Sequence, residues 1–276
     1  MLCTVVIAMV ASTQRELAQG FLALHRPGDP LLMPNPWDVG SARLLRWMGF
    51  EALATTSSGS AAAIGRLDGG LSADEMLMHA VSIVAATDLP VSADLENCFA
   101  AAEDFDGVAE TARGAVAAGL AGFSIEDYGD GVIYERELAA RRVAVAAEIA
   151  HTAGVVVTAR AENHFRGRDD ISDTIARLQA YEAAGADVLY APGLVTADQI
   201  AAVDRPVNVL ARPGMPSVAE LAALGVGRVS VGGTFAFAAV GALVRAGREL
   251  LDHGTYNFTE VAAQGSAAAT AAFGQN

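Results

Sequence analysis

The chain is 276 residues long, 53% apolar, and carries a net charge of −14 with only two cysteines. An acidic chain without a basic patch is a poor partner for nucleic acid, two cysteines make no disulfide framework and point to a reducing cytoplasm, and no apolar run is long enough to span a bilayer. All 18 basic residues are arginine, which excludes a lysine Schiff base, a lysine P-loop and a catalytic lysine acid.

The opening MLCTVVIAMVAS has a short apolar core but no basic segment before it, so it does not read as a signal peptide. Residues 1–10 are expected to be disordered or a start-site extension that translation from Met9 would remove. QRELAQGFLALH then reads as a helix ahead of the first strand. From residue 31 onward, short apolar runs alternate with Ala-rich amphipathic stretches. The runs are LLMP (31–34), EALATT (51–56), LPVSAD (89–94), AGFSIE (121–126), VVVTAR (155–160), DVLYA (187–191), PVNVL (206–210) and RVSVG (228–232). Several of the intervening stretches open on Asp or Ser and close on Gly, as capped helices do. Continuous apolar strands separated by helices indicate a parallel sheet covered on both faces. Eight of them predict an α/β fold of the (β/α)8 TIM-barrel type, one domain over residues 1–276. The Ala-rich tail over 233–276 exceeds one barrel helix and is expected to pack on a partner subunit.

Two runs end in acids: PVSADLENCF carries Asp94 and Glu96, and AGFSIEDYGD carries Glu126 and Asp127. An ionised acid withdrawn from water is costly unless a metal or an arginine faces it. Asp94, Glu126, Arg160 and Tyr190 follow one another at intervals of 32, 34 and 30 residues. One βα unit per interval puts them on adjacent strands at the same mouth of the barrel, where active sites of this fold lie. Acids beside an arginine, with no His or Cys cluster, favour Mg²⁺ or Mn²⁺ over zinc. A strand-end acid can also simply cap a helix or pair with Arg160.

The segments NPWDVGSARLL, ATTSSGSAAAIGRLDG, SADLENCF, SIED, TARAENHF and GADVLYAPG together resemble the isocitrate lyase/phosphoenolpyruvate mutase superfamily over about residues 30–250. The similarity is greatest to its short bacterial members, related to carboxyphosphonoenolpyruvate mutases, methylisocitrate lyases and oxaloacetate decarboxylases. The resemblance implies a barrel whose last helix is exchanged between the subunits of a homodimer or homotetramer, and a Mg²⁺ that holds the carboxylate end of a 2-oxo acid. It implies Asp94 as the principal metal ligand, with Glu96 and Glu126 holding the metal directly or through water and Asp68 near it on a loop. It also implies Ser57, Ser58 and Gly59 as the segment binding the substrate carboxylate, and Arg160 as the arginine facing the substrate. Removing Arg160 is then expected to abolish substrate binding while leaving the fold and the metal intact.

Two departures shape the reading. The lyases carry a Lys-Lys-Cys-Gly-His loop after the fourth strand, where this chain has EDYGDGVIYERELAARR, without Cys or His. The phosphonomutases place a lysine on that loop, and this chain has none. A small 2-oxo or 2-hydroxy carboxylate, cleaved or decarboxylated through a metal-stabilised enolate, is the expected substrate, because decarboxylation asks less of an acid catalyst. The alternatives are P–C bond chemistry on a phosphonopyruvate-like compound, or a barrel that binds a 2-oxo acid without turning it over. Tyr190 either offers its phenol to the substrate or packs on the next strand, and Asn208 reaches the pocket only if its strand has the register drawn. Glu162 and Asn163 are candidates to support Arg160. His164 is either an acid–base group at the mouth or a helix cap, and Cys98, with nothing basic adjacent in sequence, reads as an inert core residue. DYGDGVIY is the candidate mobile loop.

Overall fold

The computed structural model describes residues 2–203 and 206–274. Eight parallel strands form one sheet: β1 Leu31–Met33, β2 Leu53–Ala54, β3 Val91–Asp94, β4 Gly122–Glu126, β7 Val156–Arg160, β8 Val188–Tyr190, β9 Val207–Leu210 and β10 Arg228–Ser230. Each lies within one of the eight runs read from the sequence. Their order, β1-β10-β9-β8-β7-β4-β3-β2, is that of a barrel with β1 and β2 at the seam. Two side-by-side contacts bridge the seam: the Ala54 amide donates to the Pro34 carbonyl at 3.1 Å, and Asn35 Nδ2 donates to the Thr55 carbonyl at 2.9 Å. Asn35 Oδ1 also accepts from the amides of Val231 and Gly232, at 3.1 and 2.8 Å, so one side chain joins three strand ends.

Alternation along each strand sorts the core into two parts. Leu53, Val91, Phe123, Ile125, Val157, Leu189 and Val209 belong to the outer cluster packed under the helices. Leu31, Met33, Ala54, Val156 and Val188 form an inner cluster that Ala18 and Phe21 of helix α1 (Leu2–Ala23) join from below. The helix foreseen before the first strand is therefore the barrel's plug, which leaves the opposite end open for a site.

Local chemistry sets the helix starts. Asp38 and Ser41 form a capping box before α2 (Val39–Trp47), and Ser72 and Glu75 form another before α4 (Ala73–Val84). Helix α3 (Ser57–Ala63) starts directly after β2, with Thr56 as its cap. Helices α5 (Phe105–Ala117), α6 (Arg136–Ala153), α7 (Ile171–Ala183), α8 (Ala197–Ala202) and α9 (Val218–Ala223) complete the ring.

One element was not foreseen. Tyr128–Gly129 (β5) and Val132–Ile133 (β6) pair antiparallel within the segment expected to be a loop. Asp130 and Gly131 join them with φ of +51° and +80°, the conformation a tight two-residue hairpin turn demands. After β10, α10 (Thr234–His253) leans on α3 and α11 (Phe258–Phe273) packs on α2. These two helices leave Phe237, Leu243, Val244, Leu251 and Val261 exposed, with Tyr256 exposed in the connection between them. Among the described residues no helix is long and apolar enough to cross a membrane.

Candidate active site

Strand register brings the strand-end residues together. Asp94 pairs with Ser124, Glu126 with Arg160, Arg160 with Tyr190 and Tyr190 with Asn208. All of them line a cavity of about 750 Å³ at the open end, with Ser57, Ser58, Asp68 and Glu96.

Asp94 is the hub. Its Oδ2 accepts from the Ser57 hydroxyl at 3.2 Å and the Ser57 amide at 3.4 Å, while Oδ1 faces Arg160 Nη1 at 3.2 Å and the Ser124 hydroxyl at 3.4 Å. The Ser57 hydroxyl also lies 3.0 Å from Asp68 Oδ1, so one serine ties two acids from different loops. Ser58 opens to the cavity, and its hydroxyl is 3.1 Å from that of Thr56. Gly59 stands behind them with its amide already engaged by the Thr56 hydroxyl at 3.4 Å. A Cβ there would meet Thr56 at 2.6 Å and Trp37 at 3.2 Å, so this glycine secures the close approach of α3 to the barrel.

The chain leaves Asp94 through an unusual loop. Glu96, Cys98 and Phe99 have φ of +48°, +59° and +52°, where side chains are disfavoured. Arg142 of α6 holds the loop: it is 1% exposed and donates to the carbonyls of Asn97, Ala100, Ala101 and Ala102. Thr111 takes the Cys98 carbonyl at 2.8 Å, and Asn97 Nδ2 meets the Tyr134 hydroxyl at 2.9 Å. Arg142→Met is expected to speed amide hydrogen exchange over residues 96–102 while β4 and β7 stay protected; equal exchange in both proteins would show that the loop holds its shape without Arg142. Cys98 is buried, and burial pushes its thiol up to about 12, which keeps it inert.

Glu96 Oε1 is buried with no hydrogen-bond partner. Burial, with Asp94 and Asp68 adding repulsion, pushes this carboxyl up to about 7 from 4.5. The folded metal-free protein therefore binds a proton that the unfolded chain releases between those values, and this group's contribution to stability falls as pH rises through that window. Urea unfolding in chelator at pH 5 and pH 8 should register the fall, and Glu96→Gln should flatten it. Matching slopes for the two proteins would rule Glu96 out as the source.

Arg160 sits among three acids: Nη1 is 3.2 Å from Asp94 and 3.2 Å from Glu126, and Nη2 is 2.7 Å from Glu162. Burial opposes its charge, but Glu162, Glu126 and Asp94 outweigh that and hold it protonated. Glu126 is raised, chiefly by its own burial and by the neighbouring Glu162 and Asp94 carboxylates. Glu162 is fully buried and supports Arg160 as foreseen; its other oxygen is 3.0 Å from Arg166 Nε. The ring of Tyr190 lies 5.0 Å from the Arg160 guanidinium. Asn208 is buried, with Nδ2 2.9 Å from the Ser230 hydroxyl and Oδ1 unpaired.

Asp127, one residue past Glu126, alternates to the other side. It takes Arg177 at 2.8 Å, the Tyr181 hydroxyl at 2.5 Å and the Glu162 amide at 2.8 Å, a structural tie between β4 and α7. His164 turns away from the cavity to Asp169 and Thr174, at 3.0 and 2.8 Å, and Asn163 braces the same turn through Thr174 at 2.7 Å. Sequence reasoning missed Arg166, whose guanidinium lies 3.7 Å from the Tyr128 ring and 3.7 Å from Glu126; its place in HFRGR, soon after Arg160, was the available signal. It also missed Asn97 and Phe165, although both lie in segments that carry the resemblance, and Arg212 and Arg228, which line the cavity without any motif.

Among the described residues no three acids, histidines or cysteines form a ready-made cage for a metal ion. The donors nevertheless suit Mg²⁺, which is commonly held by one or two carboxylates with water and substrate oxygens supplying the rest. Asp94 and Glu96 provide two carboxylates at the cavity wall, one with an unpaired buried oxygen.

A (β/α)8 barrel with acids and an arginine at its carboxyl-terminal mouth is the architecture of a barrel enzyme. The phosphoenolpyruvate phosphomutase family model matches residues 21–251, and the chain belongs to that family, within the isocitrate lyase/phosphoenolpyruvate mutase superfamily. A crystal structure of a provisionally assigned lyase/mutase from Burkholderia cenocepacia J2315 is 51% identical with a TM-score of 0.85, over 90% of this chain and 92% of that one. An uncharacterised protein of Mycobacterium tuberculosis H37Rv is 32% identical over 84% of this chain and 89% of its own length. The oxaloacetate decarboxylase of Chromohalobacter salexigens DSM 3043 is 29% identical over 88% of both chains.

Proposed function

We propose that the chain is a Mg²⁺-dependent carbon–carbon lyase that cleaves or decarboxylates a small 2-oxo or 2-hydroxy carboxylate by way of an enolate. The observation that carries this reading is the meeting of Ser57, Asp68, Asp94 and Arg160 at one point of the cavity wall, each tied to the next. Asp94 and Glu96 would hold the ion, with Glu126 and Asp68 acting through water. The ion supplies positive charge that polarises the substrate carbonyl.

The protein's own groups do the rest. Arg160 offers a fixed fork to a carboxylate or enolate oxygen, and its three acids fix its orientation. Ser57 and Ser58 present hydroxyls to the carboxylate at the other side. The hairpin β5–β6, where the lyases carry their acidic cysteine loop, brings Tyr128 and Asp130 to the mouth but no thiol. That favours decarboxylation, in which the departing group is CO₂ and the enolate can take its proton from water. The kinship to an oxaloacetate decarboxylase agrees with this. The exposed apolar side chains of α10 and α11 support a homo-oligomer in which these helices meet a second copy in the cytoplasm.

Thermal shift with Mg²⁺ against oxaloacetate, 2-oxoglutarate, pyruvate, isocitrate, methylisocitrate and phosphonopyruvate, followed by pyruvate or CO₂ release, tests the reading. Consumption of a stabilising 2-oxo acid only when Mg²⁺ is present is the expected result. Stabilisation without turnover would replace the lyase by a 2-oxo acid binding protein.

A further inference from the structure

The cavity floor holds a cation that the acids above do not reach. Arg228, at the start of β10, is 2% exposed and lines the cavity. Its Nη1 donates to His25 Nε2 at 3.1 Å and to Thr158 Oγ1 at 3.4 Å; its Nε has no partner. Among the described residues no carboxylate lies within ion-pair distance of it. His25 is not its counter-charge. The ring's Nδ1 faces the Phe21 carbonyl at 2.9 Å and so carries the proton, which makes Nε2 the acceptor. Burial and the neighbouring Arg228 also push His25 down to about 3, and it stays neutral.

The other deeply buried arginines are compensated. Arg160 faces three acids, Arg177 faces Asp127 and Asp173, and Arg142 faces four carbonyls. A buried charge without a partner is expensive, and Arg228 remains protonated, because burial lowers it only to about 10. Its setting points to an anion. The neighbouring strands β10 and β9, which carry Arg228, Ser230 and Asn208, bring no acid to the cavity wall, whereas Asp94 and Glu126 come from β3 and β4 across the ring. Asn208 is the strand neighbour of Arg228 and has its Oδ1 unpaired. Turned over, that amide accepts from the Ser230 hydroxyl in place of the Val209 carbonyl and leaves Nδ2 as an unengaged donor.

We infer that Arg228, with Asn208 and Ser230, is the subsite for a second carboxylate, so that the substrate is a short dicarboxylate. The metal-side acids and Ser57 take one end of such a molecule and the floor takes the other. This deepens the proposed lyase reading and rests on it.

Malate and lactate are a matched pair for the test, since they differ only in the second carboxylate. Titration calorimetry with Mg²⁺ present should give wild-type protein at least a tenfold preference for malate. Arg228→Met should bring the two within about twofold while leaving lactate affinity unchanged. If Arg228→Met does not fold, Arg228→Gln, which keeps a donor for His25, is measured in the same way. Equal affinities in wild type, or a preference that survives loss of Arg228, would overturn the subsite. So would a preference lost instead in Arg212→Ala, which would put the second carboxylate at the mouth. Binding of neither acid by wild type would strike at the lyase reading itself, an outcome distinct from equal binding of both.

Discussion

Arg160→Gln is expected to abolish turnover and also to destabilise the protein at neutral pH, by about 3–5 kcal/mol, the usual cost of removing one partner from a buried ion cluster. Sequence alone suggests a substitution that spares the fold. The structure revises that, because Arg160 is the shared counter-ion of Asp94, Glu126 and Glu162. Without it these carboxylates face one another with only Arg166 nearby. Glu126, already raised by burial and by Glu162 and Asp94, loses the cation that lowers it, so the native variant binds a proton that the unfolded chain releases and gains stability as pH falls from 8 towards 5. Urea midpoints at pH 5.5 and 8 check the sign. A variant as stable as wild type at pH 8 would mean that the three acids tolerate one another and that Arg160 serves the substrate alone.

Asp94→Asn should remove activity through the metal site rather than through substrate binding. Asparagine keeps the size of the side chain, but only one of its ends still accepts, so it holds the Ser57 amide or the Glu96 amide and not both, and it removes the charge at the centre of the site. The melting temperature in chelator should fall modestly. Stabilisation by Mg²⁺ should disappear, and turnover should fall by more than the roughly 10–100-fold typical of groups that only support a metal ligand. A Mg²⁺ titration of the melting temperature decides the point: a normal response in the variant would take Asp94 out of the metal site.

The barrel was legible because its strands are buried on both faces and read as unbroken apolar runs, each short enough to separate from the Ala-rich helices. The rhythm of about 30 residues then placed Asp94, Glu126, Arg160 and Tyr190 at one mouth without any knowledge of their contacts. Pairing across strands was not legible. Nothing in AGFSIED says that Glu126 turns into the cavity while Asp127 turns to α7; strand alternation decides that only once the register is known. Arg228 and His25 are 203 positions apart and share no motif, and their meeting depends on how α1 plugs the barrel. Arg142 was hidden for a different reason. It sits in the first half of an ordinary amphipathic pattern, and the backbone carbonyls it holds leave no trace in side-chain identity. The β5–β6 hairpin escaped because each strand is two residues long, although Asp130-Gly131 was a turn signal in plain view.

The seam between β1 and β2 has a mechanical meaning. Elsewhere the ring is riveted by ladders, five residue pairs between β4 and β7, whereas here a proline carbonyl and the amide of Asn35 span the gap. That joint borders the cavity beside Ser57 and Ser58, and Asn35, whose one side chain ties the end of β1 to β2 and to the turn after β10, is less a lining residue than the clasp of the hoop.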